Sequence, residues 1–303
     1  MSDPRGDDAL IIATFSRRMH LRLEDGAVVN ARIKGKKLRP VCGDRVTAVP
    51  LDAEEDWLIT AVAPRVNELS RQNTRGGHEV LAANLDCLAV VAAGVPAADW
   101  FVVDRYLAAA ALMNASALLV FNKIDLVDEL TAAKPALCRY SQAGYEVIET
   151  CADDGRGIAA LRRALDGKTS IIVGQSGVGK SSLINRLSSA AGLRTAEISN
   201  ARKEGRHTTV NSQMIDLPGG GTIVDSPGVR DFAPYIEEPA SVARGFIEID
   251  AAAKDCRFGN CRHLREPGCA VKRAVERAAI DERRYESYRR LLALTEKLTQ
   301  DRF

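Results

Sequence analysis

The 303-residue sequence has almost no net charge, because 42 lysine and arginine residues are balanced by 40 aspartate and glutamate residues. The formal net charge of +2 excludes a uniformly basic nucleic-acid coat protein, although it allows a local basic patch. The sequence also lacks any uninterrupted apolar run near the length of about 18 residues that a membrane-spanning helix needs. We therefore expect no membrane partner.

The first residues, Met1 to Asp8, are polar and are not followed by the apolar core of an export signal. We therefore expect a cytoplasmic protein, in which the seven cysteines are free thiols or metal ligands rather than disulfides. The composition, 46% apolar and 27% charged, is typical of a globular protein, and the length predicts two or three domains.

Charge is distributed unevenly along this nearly neutral chain. Residues 1–64 carry no net charge, residues 65–250 carry −3 and residues 251–303 carry +5. The first region nevertheless contains a cluster of nine basic residues: Arg17, Arg18, Arg22, Arg32, Lys34, Lys36, Lys37, Arg39 and Arg45. Such a cluster either contacts phosphate groups or forms a solvated surface.

Residues 1–64 alternate between apolar and polar side chains in short segments, which predicts strands at 20–23, 28–33, 45–49 and 57–62. Turns rich in glycine and charge separate these segments, as in a small antiparallel barrel. An OB-type barrel, which binds oligonucleotides on one surface, fits this pattern. Only Phe15 and Trp57 are aromatic there, so base stacking is weakly supported, and a barrel without a ligand is the alternative.

Residues 65–237 show a different pattern, in which apolar runs alternate with helical segments. The predicted strands and helices are, in order, 85–91, 99–114, 117–121, 127–140, 145–149, 158–165 and 170–173. Strands that alternate with helices predict a doubly wound parallel sheet, with ligands at the carboxyl ends of the strands.

A glycine-rich loop follows the last of these strands and matches the pattern G-x-x-x-x-G-K-[ST] in full. Its backbone N–H groups can surround phosphate, Lys180 can reach the β and γ phosphates, and Ser181 can bind Mg²⁺. The next helix directs its N-terminus at the same phosphates. The predicted phosphate-binding residues are Gly174, Gln175, Ser176, Gly177, Val178, Gly179, Lys180, Ser181 and Ser182.

A second motif follows the strand at 117–121 and consists of Asn122, Lys123, Ile124 and Asp125. It resembles the N-K-x-D motif with which translation-factor GTPases recognise guanine. The Asp125 carboxylate can accept bonds from the N1–H and 2-amino groups of guanine, whereas adenine would leave it unpaired. Thr150, Cys151 and Ala152, which follow the predicted strand at 145–149, resemble the loop that supports guanine from the other side.

Asp225 to Gly228 follow a predicted strand at 221–224 and resemble the D-x-x-G element of GTPases. Asp225 would hold Mg²⁺ through water, and the Gly228 N–H would face the γ-phosphate. In the polar loop before it, either Thr208 or Thr209 would be the switch I ligand of Mg²⁺.

Val229 follows Gly228 at the position where many GTPases have a glutamine that positions water. Valine cannot orient water, so intrinsic hydrolysis should be slow, or another group must act. His207 in the preceding polar loop is our candidate, and the alternative is a histidine that is merely hydrogen-bonded in that loop.

The motifs occur in an unusual order, because Asn122 precedes Gly174 by 52 residues. In ordinary GTPases the P-loop comes first and the guanine motif last. The same sheet can be assembled from a chain that is cut elsewhere, since domain termini often lie close together. This order is the pattern of circularly permuted GTPases. It also places the D-x-x-G element next to the C-terminal region, which suggests that switch motion is passed to that region.

Four soft metal ligands lie within fourteen residues near the C-terminus: Cys256, Cys261, His263 and Cys269. They suit a tetrahedral structural Zn²⁺ site with no open position, and coincidentally close thiols are the alternative. Predicted helices at 271–280 and 282–298 carry seven basic residues: Lys272, Arg273, Arg277, Arg283, Arg284, Arg289 and Arg290. They could contact an RNA backbone or form an exposed surface of ion pairs.

Nearly the whole chain resembles the ribosome small-subunit-dependent GTPase A (RsgA) family. The resemblance rests on an N-terminal barrel, N-K-I-D before G-Q-S-G-V-G-K-S-S, the G-R-H-T-T loop, D-S-P-G and the C-x₄-C-x-H-x₅-C cluster. It implies three domains: an OB-fold RNA-binding barrel (1–64), a circularly permuted GTPase domain (65–237) and a helical zinc-binding domain (238–303).

The same resemblance implies a cytoplasmic, monomeric GTPase that uses GTP, GDP, Mg²⁺ and one structural Zn²⁺. It would bind the 30S ribosomal subunit and its 16S rRNA, be stimulated by the subunit, and act late in its maturation. Two alternatives stay open at this stage. One is a GTP-dependent RNA-binding switch in which hydrolysis is incidental, and the other is a P-loop ATPase whose N-K-I-D motif has no role in recognition.

Overall fold

The computed structural model describes residues 6–16, 18–33, 35, 37–51, 56–72, 78–189, 210–226, 235–236 and 238–300. In this part of the chain, no helix is both long enough and apolar enough to cross a membrane.

Five strands form a closed barrel near the N-terminus: β1 (Asp7–Phe15), β2 (Met19–Leu23), β3 (Val28–Ile33), β4 (Arg45–Pro50) and β5 (Asp56–Val62). They pair in the order β1-β2-β3-β5-β4, and β4 closes the barrel on β1. Alternate side chains such as Ile11, Leu21 and Ile59 are fully buried inside it. The predicted OB-type barrel is confirmed.

Strand β1 was not predicted from the sequence pattern. Its pairing with β2 shifts register between Ile11 and Ala13, and the successive residues Ala13 and Thr14 are both buried. A bulge of this kind adds a residue to one strand and interrupts the alternation with period two that identifies a half-buried strand.

A two-stranded hairpin, β6 (Glu68–Gln72) and β7 (His78–Ala83), follows the barrel and was also not predicted. Beyond the D-x-x-G element, the backbone N–H of Tyr235 donates to the Ser70 carbonyl at 3.1 Å. The chain that leads to the C-terminal region is therefore hydrogen-bonded to this hairpin.

Strands and helices then alternate as predicted, with bounds close to the expected ones. The elements are β8 (Cys87–Ala93), α1 (Trp100–Leu112), β9 (Ser116–Asn122), α2 (Val127–Gln142), β10 (Glu146–Thr150), α3 (Ile158–Leu165), β11 (Thr169–Gly174) and α4 (Lys180–Ser189). Strands β12 (Val210–Asp216) and β13 (Thr222–Asp225) complete this region.

The central sheet is doubly wound, with helices that pack their apolar sides against both faces. Its strand order is β10-β9-β8-β11-β13-β12, and all neighbours are parallel except β12, which is antiparallel to β13. Tyr106 of α1 and Leu137 of α2 pack in one apolar core, whereas Leu161 of α3 and Leu183 of α4 pack in the other. This arrangement confirms the predicted α/β domain and brings the carboxyl ends of β8, β9, β10, β11 and β13 to one edge.

The sheet does not end at β12, because barrel strand β1 pairs with it in antiparallel register. Ala13 lies opposite Gln213 and Thr14 lies opposite Ser212. The barrel and the central sheet therefore form one hydrogen-bonded sheet of eleven strands.

The C-terminal region is helical and consists of a 3₁₀ segment (Pro239–Gly245) and helices α5 (Ile247–Ala253), α6 (Ala270–Glu276) and α7 (Glu282–Gln300). Its apolar core contains Phe246, Tyr288 and Leu291, and it includes Ala108 from α1. Helix α6 ends earlier than the predicted residue 280, because the backbone is already left-handed at Ala278, where φ is +56°.

A buried ionic network attaches this helical region to α1. Arg284 is 1% exposed and donates to Asp104 Oδ1 at 2.8 Å and to both Glu248 oxygens at 2.6 and 2.8 Å. Arg283 donates to Asp104 Oδ2 at 2.8 Å. Burial, followed by the charge of Asp104, raises the pKa of Tyr140, so that its hydroxyl stays protonated and donates to Asp104 at 2.6 Å. Arg283 and Arg284 are thus turned towards the protein interior rather than towards a nucleic acid.

Candidate nucleotide-binding site and metal cluster

The P-loop lies between the end of β11 and the start of α4, as predicted. Lys180 is the first residue of α4, and its Nζ donates to the carbonyl oxygens of Gly174 and Gln175 at 2.6 and 2.7 Å. Ser181 and Ser182 occupy the exposed first turn of the same helix. The backbone N–H groups at this helix N-terminus, together with the lysine, give a site that suits phosphate.

Glycine is required at two positions of this loop for steric reasons. At Gly174, φ is +137°, and an added Cβ would lie 2.1 Å from the Val91 carbonyl oxygen. At Gly179, φ is +94°, and an added Cβ would lie 2.3 Å from Asn122 Nδ2. The close approach of the loop to neighbouring strands therefore explains both glycines.

Asn122 joins the guanine motif to the P-loop. It ends β9, is 1% exposed, and its Nδ2 donates to the Val178 carbonyl at 2.9 Å. Its Oδ1 accepts bonds from the Thr150 hydroxyl at 3.1 Å and from the Ala152 N–H at 3.2 Å. One side chain thus holds together three segments that are far apart in sequence.

Lys123 makes a second connection between the same segments. Its backbone is left-handed, with φ at +65°, and its Nζ donates to the carbonyls of Gly177 and Val95, each at 2.8 Å. The segment between β8 and α1 also supports the P-loop, because Gln175 Oε1 accepts a bond from the Asp99 N–H at 3.2 Å. Sequence reasoning missed Val95 and Asp99. Both lie in the segment that follows β8, and the sheet order indicates their position, because β8 lies between β9 and β11.

Asp125 and Cys151, predicted on opposite sides of guanine, lie in contact. Burial raises the pKa of the Cys151 thiol, so that it is protonated at neutral pH and donates to Asp125 Oδ1 at 3.2 Å. The Ile124 N–H donates to the Thr150 carbonyl, which ties the backbone of the motif to the end of β10. The carboxylate is thereby held at the same sheet edge as the P-loop.

Asp225 ends β13, the parallel neighbour of β11, so it lies at the sheet edge where the P-loop begins. The next residue, Ser226, has its Oγ 2.9 Å from the Oγ of Ser212 on β12, a contact that the sequence did not indicate. The remaining predicted switch residues lie outside the described residues: His207, Thr208, Thr209, Gly228 and Val229.

The four predicted metal ligands form a compact cluster: Cys256, Cys261, His263 and Cys269. All four ligand atoms lie within 4.8 Å of one another. His263 Nδ1 is 3.5 Å from the sulfurs of Cys256 and Cys269, and those sulfurs are 4.0 Å apart. Tetrahedral Zn²⁺ with ordinary bond lengths separates its ligands by about 3.5–3.8 Å, so the cluster is compatible with zinc.

Backbone N–H groups around Cys256 and Cys269 suit metal-bound thiolates at these two positions. The Ala270 N–H donates to Cys256 Sγ at 3.3 Å, and the Lys272 N–H donates to Cys269 Sγ at 3.5 Å. Burial by itself would raise the pKa of Cys256, but backbone N–H donors, including that of Ala270, hold it below its ordinary value. The Tyr288 hydroxyl on α7 donates to the Arg262 carbonyl at 2.6 Å and connects the cluster to the helical core.

Comparisons with known proteins agree with this geometry. A family model described as RsgA GTPase matches residues 62–234. A protein of Azotobacter vinelandii named small ribosomal subunit biogenesis GTPase RsgA is 39% identical over 292 residues, which cover 94% of this chain and 85% of that protein.

Two solved structures share the fold over nearly their full length. YjeQ from Thermotoga maritima matches with a TM-score of 0.75 and 30% identity, covering 95% of this chain and 98% of that chain. YloQ, described as a circularly permuted GTPase, matches with a TM-score of 0.73 and 24% identity, covering 98% and 97%.

The sheet order and the order of motifs along it define a circularly permuted P-loop GTPase, a GTP hydrolase. The chain belongs to the RsgA GTPase family. Membership implies GTP and GDP as the nucleotides and Mg²⁺ as the cofactor.

Proposed function

We propose that this protein hydrolyses GTP to GDP and phosphate, that the 30S ribosomal subunit stimulates the reaction, and that it acts in late maturation of that subunit. The observation that carries this proposal is the pair of bonds from Asn122 to Val178 and from Lys123 to Gly177. They unite the guanine motif and the P-loop in one site, despite the permuted order. The name of the Azotobacter relative supports the choice of partner.

In this proposal each part of the site has a separate task. Asp125 accepts the guanine N1–H and 2-amino donors, while Asn122 and Lys123 fix the P-loop relative to the base. The P-loop N–H groups and Lys180 bind the phosphates, and Ser181 and Asp225 hold Mg²⁺. When bound, Mg²⁺ neutralises charge that develops between the β and γ phosphates.

The residues of the switches complete the proposal, although they lie outside the described residues. Thr208 or Thr209 would bind Mg²⁺, and the Gly228 N–H would face the γ-phosphate. Because Val229 cannot orient water, His207 is proposed to position the attacking water. Slow turnover without the 30S subunit is the expected consequence.

We further propose that the cluster at 256–269 binds one structural Zn²⁺. All four positions are filled by protein ligands, so there is no open coordination site for substrate. The metal would fix the turn-rich loop against α7, through Tyr288 and the neighbouring core.

Two surfaces are proposed to contact 16S rRNA. On the barrel, Lys37, Arg39 and Arg45 form no ion pair within the described residues, whereas Arg22 and Arg32 are paired with carboxylates. On the metal-binding loop, Phe258 is 41% exposed, and the guanidinium of Arg257 lies 5.3 Å from its ring centroid. An exposed ring beside positive charge suits a nucleobase of a single-stranded segment.

The division into residues 1–64, 65–237 and 238–303 stays part of the proposal, as do a monomeric state and a cytoplasmic location. The two outer parts would bind rRNA, and the middle part would bind and hydrolyse GTP.

The test of nucleotide recognition uses the Asp125→Asn variant and competition between GTP, ATP and XTP. Wild-type protein should prefer GTP over ATP by roughly a hundredfold or more, because adenine offers the Asp125 carboxylate neither of the two donors that guanine provides. Asp125→Asn should lose affinity for GTP and gain affinity for XTP, whose 2-oxo group accepts a bond. Equal affinity of the wild type for ATP and GTP would support the P-loop ATPase alternative.

The test of the partner is GTP turnover by the full chain with and without purified 30S subunits. We expect a higher kcat with the subunit. Binding to 30S subunits that depends on GTP, without a rise in turnover, would favour the GTP-dependent RNA-binding switch instead. Neither binding nor stimulation would refute the role in subunit maturation.

A further inference from the structure

Strand β12 is the only strand of the described sheet that connects the barrel to the nucleotide-binding strands. On one side it pairs with β13, where Gln213 lies opposite Asp225 and Asp216 lies opposite Thr222. On its other side it pairs with β1 of the barrel, where Thr14 lies opposite Ser212. Barrel strand β1 and strand β13, which ends at the D-x-x-G element, are therefore hydrogen-bonded to the same strand.

A side-chain contact strengthens this backbone connection at the end near the nucleotide site. Ser212 is 5% exposed, and its hydroxyl oxygen lies 2.9 Å from that of Ser226. Ser226 is the residue directly after Asp225, whose proposed task is to hold Mg²⁺. The contact therefore joins the strand that the barrel holds to the backbone that positions a catalytic carboxylate.

A second contact holds the opposite end of β12. Arg22 of β2 donates to both carboxylate oxygens of Asp216, at 3.3 and 2.6 Å. Asp216 Oδ1 also accepts a bond from the Thr222 hydroxyl at the start of β13, at 3.1 Å. The barrel thus contacts both ends of β12, and each end is bonded to β13 or to the residue that follows it.

We propose that Ser212 is a positioning residue for GTP hydrolysis, through which binding of an RNA-containing partner at the barrel is coupled to the D-x-x-G element. Coupling between two sites is reciprocal, so the nucleotide state also changes the affinity of the barrel for that partner. This inference rests on the proposed function, because it takes the 30S subunit as the partner.

The experiment compares the kcat for GTP with and without saturating 30S subunits in wild-type, Ser212→Ala and Ser212→Thr proteins. Loss of one hydrogen bond should reduce the fold stimulation of Ser212→Ala by about three- to tenfold. Ser212→Thr keeps the hydroxyl and should retain most of the stimulation. Ser116→Ala is the control for loss of a serine hydrogen bond elsewhere in the sheet, since the exposed Ser116 donates to the Asp86 carbonyl at the opposite end of the sheet. It should behave as the wild type.

A second arm tests whether Ser212 acts through Ser226. Ser226→Ala should also reduce stimulation, and the loss in the double variant should be smaller than the sum of the two single losses, because both single variants remove the bond between Ser212 and Ser226. Additive losses would overturn the inference.

Other outcomes separate this inference from the proposed function. If Ser212→Ala is stimulated as strongly as the wild type, the inference is wrong while the proposed function stands. If Ser212→Ala loses stimulation together with a lowered thermal unfolding midpoint, and Ser212→Thr does not restore it, Ser212 has only a structural role. If the wild type itself is not stimulated, the proposed function fails first.

Discussion

The barrel and the C-terminal helical region are attached to the GTPase domain in different ways. The barrel is joined to β12 by strand pairing and by the solvent-accessible pair of Arg22 and Asp216, whose side chains are 33% and 51% exposed. A separate buried contact holds the turn before β4, where the side chain of Asp44 is 0% exposed and pairs with Arg65 at 2.7 Å. The C-terminal region is joined by Arg284 and Asp104, whose side chains are 1% and 0% exposed, within an apolar core.

This difference indicates different mechanical roles. A buried charge network is strongly destabilised when one partner is removed, so it holds two elements in a fixed position. An exposed pair such as Arg22 and Asp216 contributes little stability, so it constrains the attachment of the barrel to β12 less strongly. The barrel also contacts β12, next to the D-x-x-G element, whereas Arg284 contacts α1. These contacts favour the barrel as the region whose position changes with the bound nucleotide. The hypothesis that switch motion is passed to the C-terminal region stays untested.

Among the changes that test this comparison, removal of the proposed zinc should have the largest effect on the structure of the C-terminal region. Structural zinc contributes folding free energy of roughly 10 kcal/mol or more in small metal-binding domains. Treatment of the full chain with a chelator should therefore unfold the C-terminal helices, which circular dichroism detects, while GDP binding persists. Metal analysis should give one zinc per chain before treatment. Full helicity in protein that contains no metal would contradict the structural role.

Removal of Arg284 should have the next largest effect. Arg284→Met leaves Asp104 and Glu248 buried without this partner and should lower the free energy of unfolding by about 3–5 kcal/mol. Chemical denaturation monitored by circular dichroism measures this loss. Arg289→Met is the matched control, since Arg289 and its partner Glu286 are each 52% exposed and the change should cost less than about 1 kcal/mol. Equal losses of unfolding free energy in the two variants would contradict the view that the buried network fixes the C-terminal region more strongly than an exposed ion pair does.

Much of the fold could be predicted because its local patterns are strong. The strands from β8 to β11 are short apolar runs separated by helical periodicity, and their motifs sit at strand ends, where parallel sheets bind ligands. Strand β1 could not be predicted in the same way, because its bulge near Ile11 breaks the alternation. The pairing of β1 with β12 joins residues about two hundred positions apart, and no local pattern encodes such a pairing.

In the candidate site too, residues in motifs could be predicted, whereas residues whose role depends on the fold could not. The motif residues Asn122, Asp125 and Lys180 were identifiable because their spacing follows from the chemistry of phosphate and guanine. Val95 contributes only a carbonyl oxygen, and any residue type supplies one. Ser212 is an ordinary polar residue in a strand, and its importance depends on Ser226, which the fold brings near.

Exchanging the charges of Arg22 and Asp216 should have the smallest effect on stability. It is also the most direct test of the central claim, which is that the barrel acts on the D-x-x-G element through β12. The measurement is the fold stimulation of GTP turnover by saturating 30S subunits in Arg22→Glu, Asp216→Arg and the double variant. Each change of an exposed pair should cost only about 1 kcal/mol or less of stability.

If the barrel acts on the D-x-x-G element through β12, each single variant should lose stimulation, because like charges then repel, and the double variant should regain it. Arg18→Glu is the control, since Arg18 is paired within the barrel, with Asp56 at 3.8 Å. It should keep the stimulation that the single variants lose. Equal stimulation in all variants, or a double variant no better than the singles, would contradict the account.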